Sequence, residues 1–171
     1  PQPDGLWAAV TMPSSYPRLY KADAGANIYR RSVYTFWKRG MPPPQMTIMN
    51  APTREACTTR RERTNTPLQA LLLMNETQYV QAANRLGKRA IAAPNLSSPE
   101  QRVEWLFETV TARLPRDGEL REMVSLLVDL TAYYTDQPDL ATKLSGTSDA
   151  NEAAWTVLAN TLLNLDEVVT K

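Results

Sequence analysis

Histidine is absent from this sequence of 171 residues. That excludes Ser-His-Asp and Cys-His catalytic pairs, the common histidine-containing zinc sites and a histidine-ligated haem within this chain. Cysteine occurs once, as Cys57, so there is no internal disulfide, no CxxC and no thiolate cluster, and one thiol does not report a redox compartment. Glycine is scarce, with 6 dispersed residues and neither a GxGxxG nor a GxxxxGK[ST] phosphate loop. A calcium loop of the EF-hand type is missing as well. No apolar run approaches the ~20 residues that span a bilayer. No basic segment followed by an apolar one marks a signal peptide. Because the chain opens on Pro1 rather than methionine, the expectation is a fragment of a longer protein, with any targeting signal upstream.

What is present is ordinary in bulk and uneven in layout. Hydrophobic residues make up 43% and charged residues 22%, the balance of a soluble globular chain. The length suits one domain. Residues 1–91 carry 13 Lys and Arg against 5 Asp and Glu, and residues 92–171 carry 6 against 13. The two stretches are therefore net +8 and −7, together the +1 of the whole chain. Opposite charge on two halves of one domain favours their mutual attraction, although exposed ion pairs contribute only ~0–1 kcal/mol each.

The expected fold is mainly α: a bundle of about five or six helices with an extended N-terminal arm rich in proline and aromatics. The domain expected is single, over residues 1–171. Residues 1–49 form the arm and one short element, and residues 50–171 the helical body. The first 25 residues carry Pro1, Pro3, Pro13 and Pro17 among Trp7, Tyr16 and Tyr20 and read as irregular. Residues 28–39 have strand-like composition but helical spacing of Tyr29, Val33, Phe36 and Trp37, which predicts a helix. Pro42-Pro43-Pro44 reads as a stiff connector, and Pro52 as the start of a short helix or turn near Asn50.

The later signals are sharper. Thr66-Pro67 supplies an N-cap hydroxyl and an N1 proline. Asn75 interrupts the leucine run, and a second helix follows from about residue 76 to 92, with Tyr79, Val80, Ala83 and Leu86 on its apolar side. Ser98-Pro99-Glu100-Gln101 fits a capping box, with Val103, Leu106, Phe107, Val110 and Leu114 at helical spacing behind it. Asp117 is read as the cap of the next helix, with Leu120, Met123, Val124, Leu127 and Tyr134 facing inward. A short helix over residues 139–144 follows. The last helix, over residues 150–165, presents Ala154, Val157, Leu158, Leu162 and Leu165.

The candidate binding groups are Arg54, Arg60, Arg61 and Arg63, with Arg30, Arg31, Lys38 and Arg39 upstream. Several guanidinium forks can clamp a carboxylate, sulfate or phosphate. The interleaved Glu55 and Glu62, and the acidic C-terminal half, favour instead a structural role in ion pairs. Asn65 and Gln69 are candidate ligand hydrogen-bonders whose simpler role is capping. Asp166 and Glu167 are adjacent carboxylates, which do not face one another on a helix, and salt bridges to the arginines suit them better than acid–base work. Cys57 reads as a small buried thiol. Tyr29, Tyr34, Phe36 and Trp37 beside Arg30, Arg31 and Lys38 loosely suggest nucleic acid. The absence of any helix-turn-helix, zinc or RNP pattern argues against that partner. No catalytic, metal or cofactor-binding residue is assigned.

One resemblance runs nearly the length of the chain. It is carried by Tyr29-Arg30-Arg31-Ser32-Val33-Tyr34-Thr35-Phe36-Trp37-Lys38-Arg39, by Pro42-Pro43-Pro44 and by Asn50-Ala51-Pro52-Thr53-Arg54-Glu55. The most specific run is Arg60-Arg61-Glu62-Arg63-Thr64-Asn65-Thr66-Pro67-Leu68-Gln69-Ala70-Leu71. Trp7 and Leu163-Asn164-Leu165-Asp166-Glu167 add to it. These segments resemble the C-terminal domain of unknown function (number 1553) of planctomycete-type proteins. The resemblance implies a large exported parent, periplasmic or at the cell surface. A cytochrome domain carrying haem c would lie upstream, and carbohydrate-binding modules sometimes join such proteins. It implies no catalytic residues. The function expected is a non-catalytic interaction or scaffolding domain whose partners are upstream domains of the parent and acidic glycans. The alternative is part of an enzyme active site completed by a missing upstream region.

Overall fold

A computed structural model describes residues 5–14, 21, 23–38, 40–60 and 62–170. The chain separates into two units, Pro1–Thr64 and Asn65–Lys171. Pro1, Pro3, Tyr16, Pro17, Tyr20, Arg39 and Arg61 lie outside the described residues. Among those described, all regular structure is helical and there is no strand.

The C-terminal unit holds the long helices, and their starts follow the sequence signals. Helix α3 spans Pro67–Asn75, α4 Thr77–Ile91, α5 Pro99–Thr111, α6 Asp117–Asp136, α7 Pro138–Ser145 and α8 Ala150–Leu163. These six long helices match the expected five or six. At the head of α3 the Thr66 hydroxyl accepts from the Gln69 amide at 3.3 Å, and the Thr66 amide donates to Gln69 Oε1 at 2.9 Å. Ser98 and Gln101 repeat this reciprocal box at α5. Each box satisfies two helix N–H groups that would otherwise lack partners. Asp117 is the first residue of α6 rather than its cap, and the Arg116 amide there donates to Glu119 Oε2 at 2.8 Å. A four-residue helix, Asp166–Val169, closes the unit.

Helix α8 is the axis. Ala153, Ala154, Trp155, Thr156, Leu158, Ala159 and Leu162 are all buried, more than one face of a helix can supply, because α4, α6 and α7 all pack against it. The buried partners are Ala83 and Ala90 of α4, Val103, Leu106 and Phe107 of α5, and Met123 and Leu127 of α6. Leu114, expected inside, is 58% exposed, because α5 stops at Thr111.

The tightest crossing is between α4 and α8. Ala83, Gly87 and Ala90 line the buried side of α4. A Cβ built on Gly87 would sit 2.9 Å from both the carbonyl carbon and oxygen of Trp155 and 3.2 Å from the Thr156 nitrogen. Those neighbours are backbone, which cannot swing aside. The approach also lets Asn84 Nδ2 donate to Thr156 Oγ1 at 3.0 Å and Lys88 pair with Glu152 at 3.1 Å.

The N-terminal unit is built differently. Its elements are a four-residue helix α1, Leu6–Ala9, two 3-10 turns, Gly25–Tyr29 and Ser32–Tyr34, and a short helix α2, Pro44–Ile48. Trp7 is 3% exposed, with Phe36 edge-on at 5.4 Å and Lys38 Nζ 6.0 Å from its ring. The helix predicted over residues 28–39 is not there. Tyr29, Val33, Tyr34 and Phe36 are all more than half exposed, so no apolar burial offsets the cost of ordering a helix. The expected short element at Asn50 is displaced too. Pro44 opens a helix at the end of the proline run, while Asn50 and Arg54 take positive φ, 52° and 66°.

The close crossing yields a paired prediction. Gly87→Ala should destabilise the chain by ~1–3 kcal/mol, the usual cost of overpacking. Gly118→Ala, with nothing within 4 Å of its Cβ, should stabilise it by ~0.4–1 kcal/mol. Urea unfolding of both variants measures the two signs.

Candidate functional site

The arginine segment lies in irregular backbone, and its residues do not behave alike. Arg54, Arg60 and Arg63 are exposed. Arg54 lies with its guanidinium carbon 5.0 Å from the centroid of the Trp37 ring, a cation–π stack. None of the three has an ion pair to a described carboxylate of the N-terminal unit. Arg54, Arg60 and Arg63 therefore do not make the pairing expected with Glu55 and Glu62, and Arg61 lies outside the described residues. Upstream, Arg30 donates to Asn27 Oδ1 at 2.8 Å, and Lys38 donates to the Thr11 hydroxyl. Cys57 is exposed, not buried, because the segment around it has no core to enter.

A hollow of about 480 Å³ opens in the same unit, lined by Trp37, Pro42, Thr47, Asn50, Glu55 and Thr58 among others. Asn50 Nδ2 donates to Thr64 Oγ1 at 2.6 Å, which ties the far end of the arginine segment back to the short helix that precedes it.

The remaining candidates belong to the C-terminal unit. Gln69 is 2% exposed and works in the α3 capping box. Asn65 Nδ2 donates to Asp166 Oδ1 at 2.9 Å, joining the start of α3 to the start of the last helix. Glu167 binds Arg113, through Nε at 3.0 Å and Nη2 at 2.8 Å. Arg113 is the residue that sequence reasoning missed. It follows Ala112, whose φ of 61° ends α5, and its guanidinium lies 4.7 Å from the Phe107 ring. It also grips Glu119, through Nη1 and Nη2 at 2.8 Å each, and the Leu114 carbonyl at 3.1 Å. All five N–H donors of this guanidinium are thereby used. The only sequence signal was an arginine just before a proline turn with a carboxylate three residues into the next helix.

A family model described as a protein of unknown function (PSD1, DUF1553) matches residues 5–127. The chain belongs to the DUF1553 family. The DUF1553 match takes in the arginine segment, the hollow and the Arg113–Glu119 pair, and leaves Glu167 and α8 beyond its end. No curated protein and no solved structure matches the chain.

The electrostatics of the C-terminal unit are those of a clasp. The Arg113 hydrogen bonds, and then the Arg116 amide, hold Glu119 well below the usual carboxylate range, down to about 2. The Thr147 hydroxyl and Lys88 lower Glu152. The backbone at the head of α5, with the Ser98 hydroxyl, lowers Glu100. Each carboxylate is pushed toward its charged form and away from proton exchange near neutrality. A second, mainly apolar groove of about 550 Å³ lies along α6, with Val124, Leu127, Val128 and Trp155 in its lining. Among the described residues, no group of three or more Cys, Asp or Glu is placed to hold a metal.

The clasp predicts a pH dependence. A carboxyl whose folded value is depressed adds stability that is complete above its ordinary value of 4.5 and disappears as pH falls toward about 2. Melting temperatures across that window should fall for the native chain. Glu119→Gln should lower the neutral-pH melting temperature and flatten the acid decline. Arg113→Lys should behave similarly, since a lysine cannot hold two carboxylates in forked geometry.

Proposed function

We propose that the chain is a non-catalytic recognition and scaffolding module of a larger exported protein, and that its N-terminal unit binds an acidic glycan. One observation carries the reading. Arg54, Arg60 and Arg63 are exposed and have no ion pair to a described carboxylate of their own unit. The N-terminal unit holds 10 Lys and Arg against 4 Asp and Glu, a net +6. Guanidinium groups left open to solvent on a positive unit are suited to carboxylate or sulfate groups spaced along a polymer.

The carboxylates support the same reading from the other side. Those with shifted acidity are all held ionised, as structural partners of cations and helix starts. The C-terminal unit then serves as a rigid mount, with its best-placed arginine spent on Glu119 and Glu167. The resemblance of the sequence to planctomycete-type, cytochrome-fused proteins supports an exported parent with haem c in an upstream domain. No helix among the described residues is long and apolar enough to cross a membrane.

Titration with oligogalacturonate and with heparin fragments tests this. Binding should weaken steeply as salt rises, because the contacts are exposed. Arg54→Ala, Arg60→Ala and Arg63→Ala should each cost a few fold, as ~0–1 kcal/mol per exposed charge pair implies, and the triple variant more. The melting temperature in the absence of ligand should stay close to that of the native chain. Binding that ignores salt and all three substitutions would remove the arginines from the account.

A further inference from the structure

The hollow of the N-terminal unit has a lining that charge alone does not explain. Its volume, about 480 Å³, falls within the range of small-ligand sites. Trp37 and two prolines, Pro42 and Pro52, give it apolar surface, and Thr47, Asn50, Thr53, Glu55 and Thr58 give it hydroxyl, amide and carboxylate groups. Two of these, the Glu55 carboxylate and the Thr58 hydroxyl, have no partner among the described residues of their own unit. Asn50 and Arg54, both in left-handed backbone with φ of 52° and 66°, bracket the segment that forms one wall. A non-glycine residue in that conformation is a mark of a fixed local shape.

The geometry points to a sugar-ring subsite: an uncharged, hydroxyl-rich ring of a glycan seated in this hollow against Trp37. The chemistry selects that class. A carboxylate accepts two O–H bonds from neighbouring ring hydroxyls, and a threonine hydroxyl both donates and accepts. The indole offers an apolar, polarisable surface to the C–H side of the ring. An acid or sulfate group inside the hollow would face the charge of Glu55. Arg54 does not line the hollow, and its guanidinium lies over the Trp37 ring at 5.0 Å. The acid group of the next sugar unit would therefore fall on Arg54 while the uncharged ring occupies the hollow. Only that assignment of Arg54 rests on the acidic-glycan reading. The hollow itself is a claim about uncharged sugar.

The test uses the full chain and three uncharged probes, cellohexaose, xylohexaose and mannohexaose, followed by tryptophan fluorescence and saturation-transfer NMR. At least one probe should bind saturably at millimolar concentration, with no dependence on salt. Glu55→Gln and Thr58→Val should each weaken it by about tenfold, the scale of losing a hydrogen bond to a charged or fixed partner. Both side chains are exposed and hold nothing else in the unit, so these variants should keep the native melting temperature. Arg54→Ala should leave uncharged probes bound and weaken heparin fragments. No saturable binding of any of the three probes would overturn the subsite, and so would binding indifferent to both Glu55→Gln and Thr58→Val. Heparin fragments bound without any uncharged probe would retire the hollow and keep the arginines. Uncharged probes bound without heparin would do the reverse.

Discussion

The C-terminal unit depends on one close approach, Gly87 of α4 against the backbone of Trp155 and Thr156 in α8. At that distance only a hydrogen fits. Because the helices meet there, α8 lies deep enough to be covered by α4, α6 and α7. Seven of its residues become core. The polar contacts around the crossing follow from the same geometry. Asn84 reaches Thr156, and Lys88 reaches Glu152, which the Thr147 hydroxyl also binds at 2.7 Å. A larger residue at position 87 would lift α4 and loosen all of them together.

A second fastening closes the far end of the unit. Arg113, at the turn between α5 and α6, collects Glu119 from α6 and Glu167 from the last helix, and Asn65 collects Asp166. These contacts are partly exposed and individually modest. Their value is geometric, since a guanidinium fork with every donor used fixes three segments at once. The same saturation removes Arg113 from the list of groups that could take a ligand. The division of labour is thus physical. Lys88 and Arg113 of the helical unit are engaged by carboxylates of the same unit, while Arg54, Arg60 and Arg63 have no ion pair to a described carboxylate of theirs.

Much of the fold was legible because its signals are local. Thr66-Pro67 and Ser98-Pro99 with Gln69 and Gln101 announce helix starts through hydrogen bonds made within four residues. The inward positions of α5 and α6 repeat at helical spacing. The rest was not legible because it is set by distant partners. Gly87 falls in helical step with Ala83 and Ala90, yet its importance appears only when α8 is laid against it. Arg113 and Glu167 are far apart in sequence, and nothing in either segment names the other. Residues 28–39 misled because helical spacing of aromatics predicts a helix only where the aromatic face is buried, and here it is exposed. The arginine segment was visible as a cluster. That Arg54, Arg60 and Arg63 make no ion pair with Glu55 or Glu62 was not, because adjacent opposite charges in a one-dimensional reading look paired. Around it, Trp37, Asn50 and Thr58 meet in one hollow only after the chain turns at Asn50 and Arg54.

The proposed function assigns recognition to the N-terminal unit and stable packing to the helical one. Hydrogen-exchange mass spectrometry of the full chain, with and without a heparin fragment, tests it most directly. Exchange should slow on binding in residues 37–63, with α4 and α8 already the slowest segments and unchanged by ligand. Ligand-induced protection at the Arg113 turn or along the α6 groove, with residues 37–63 unaffected, would contradict it.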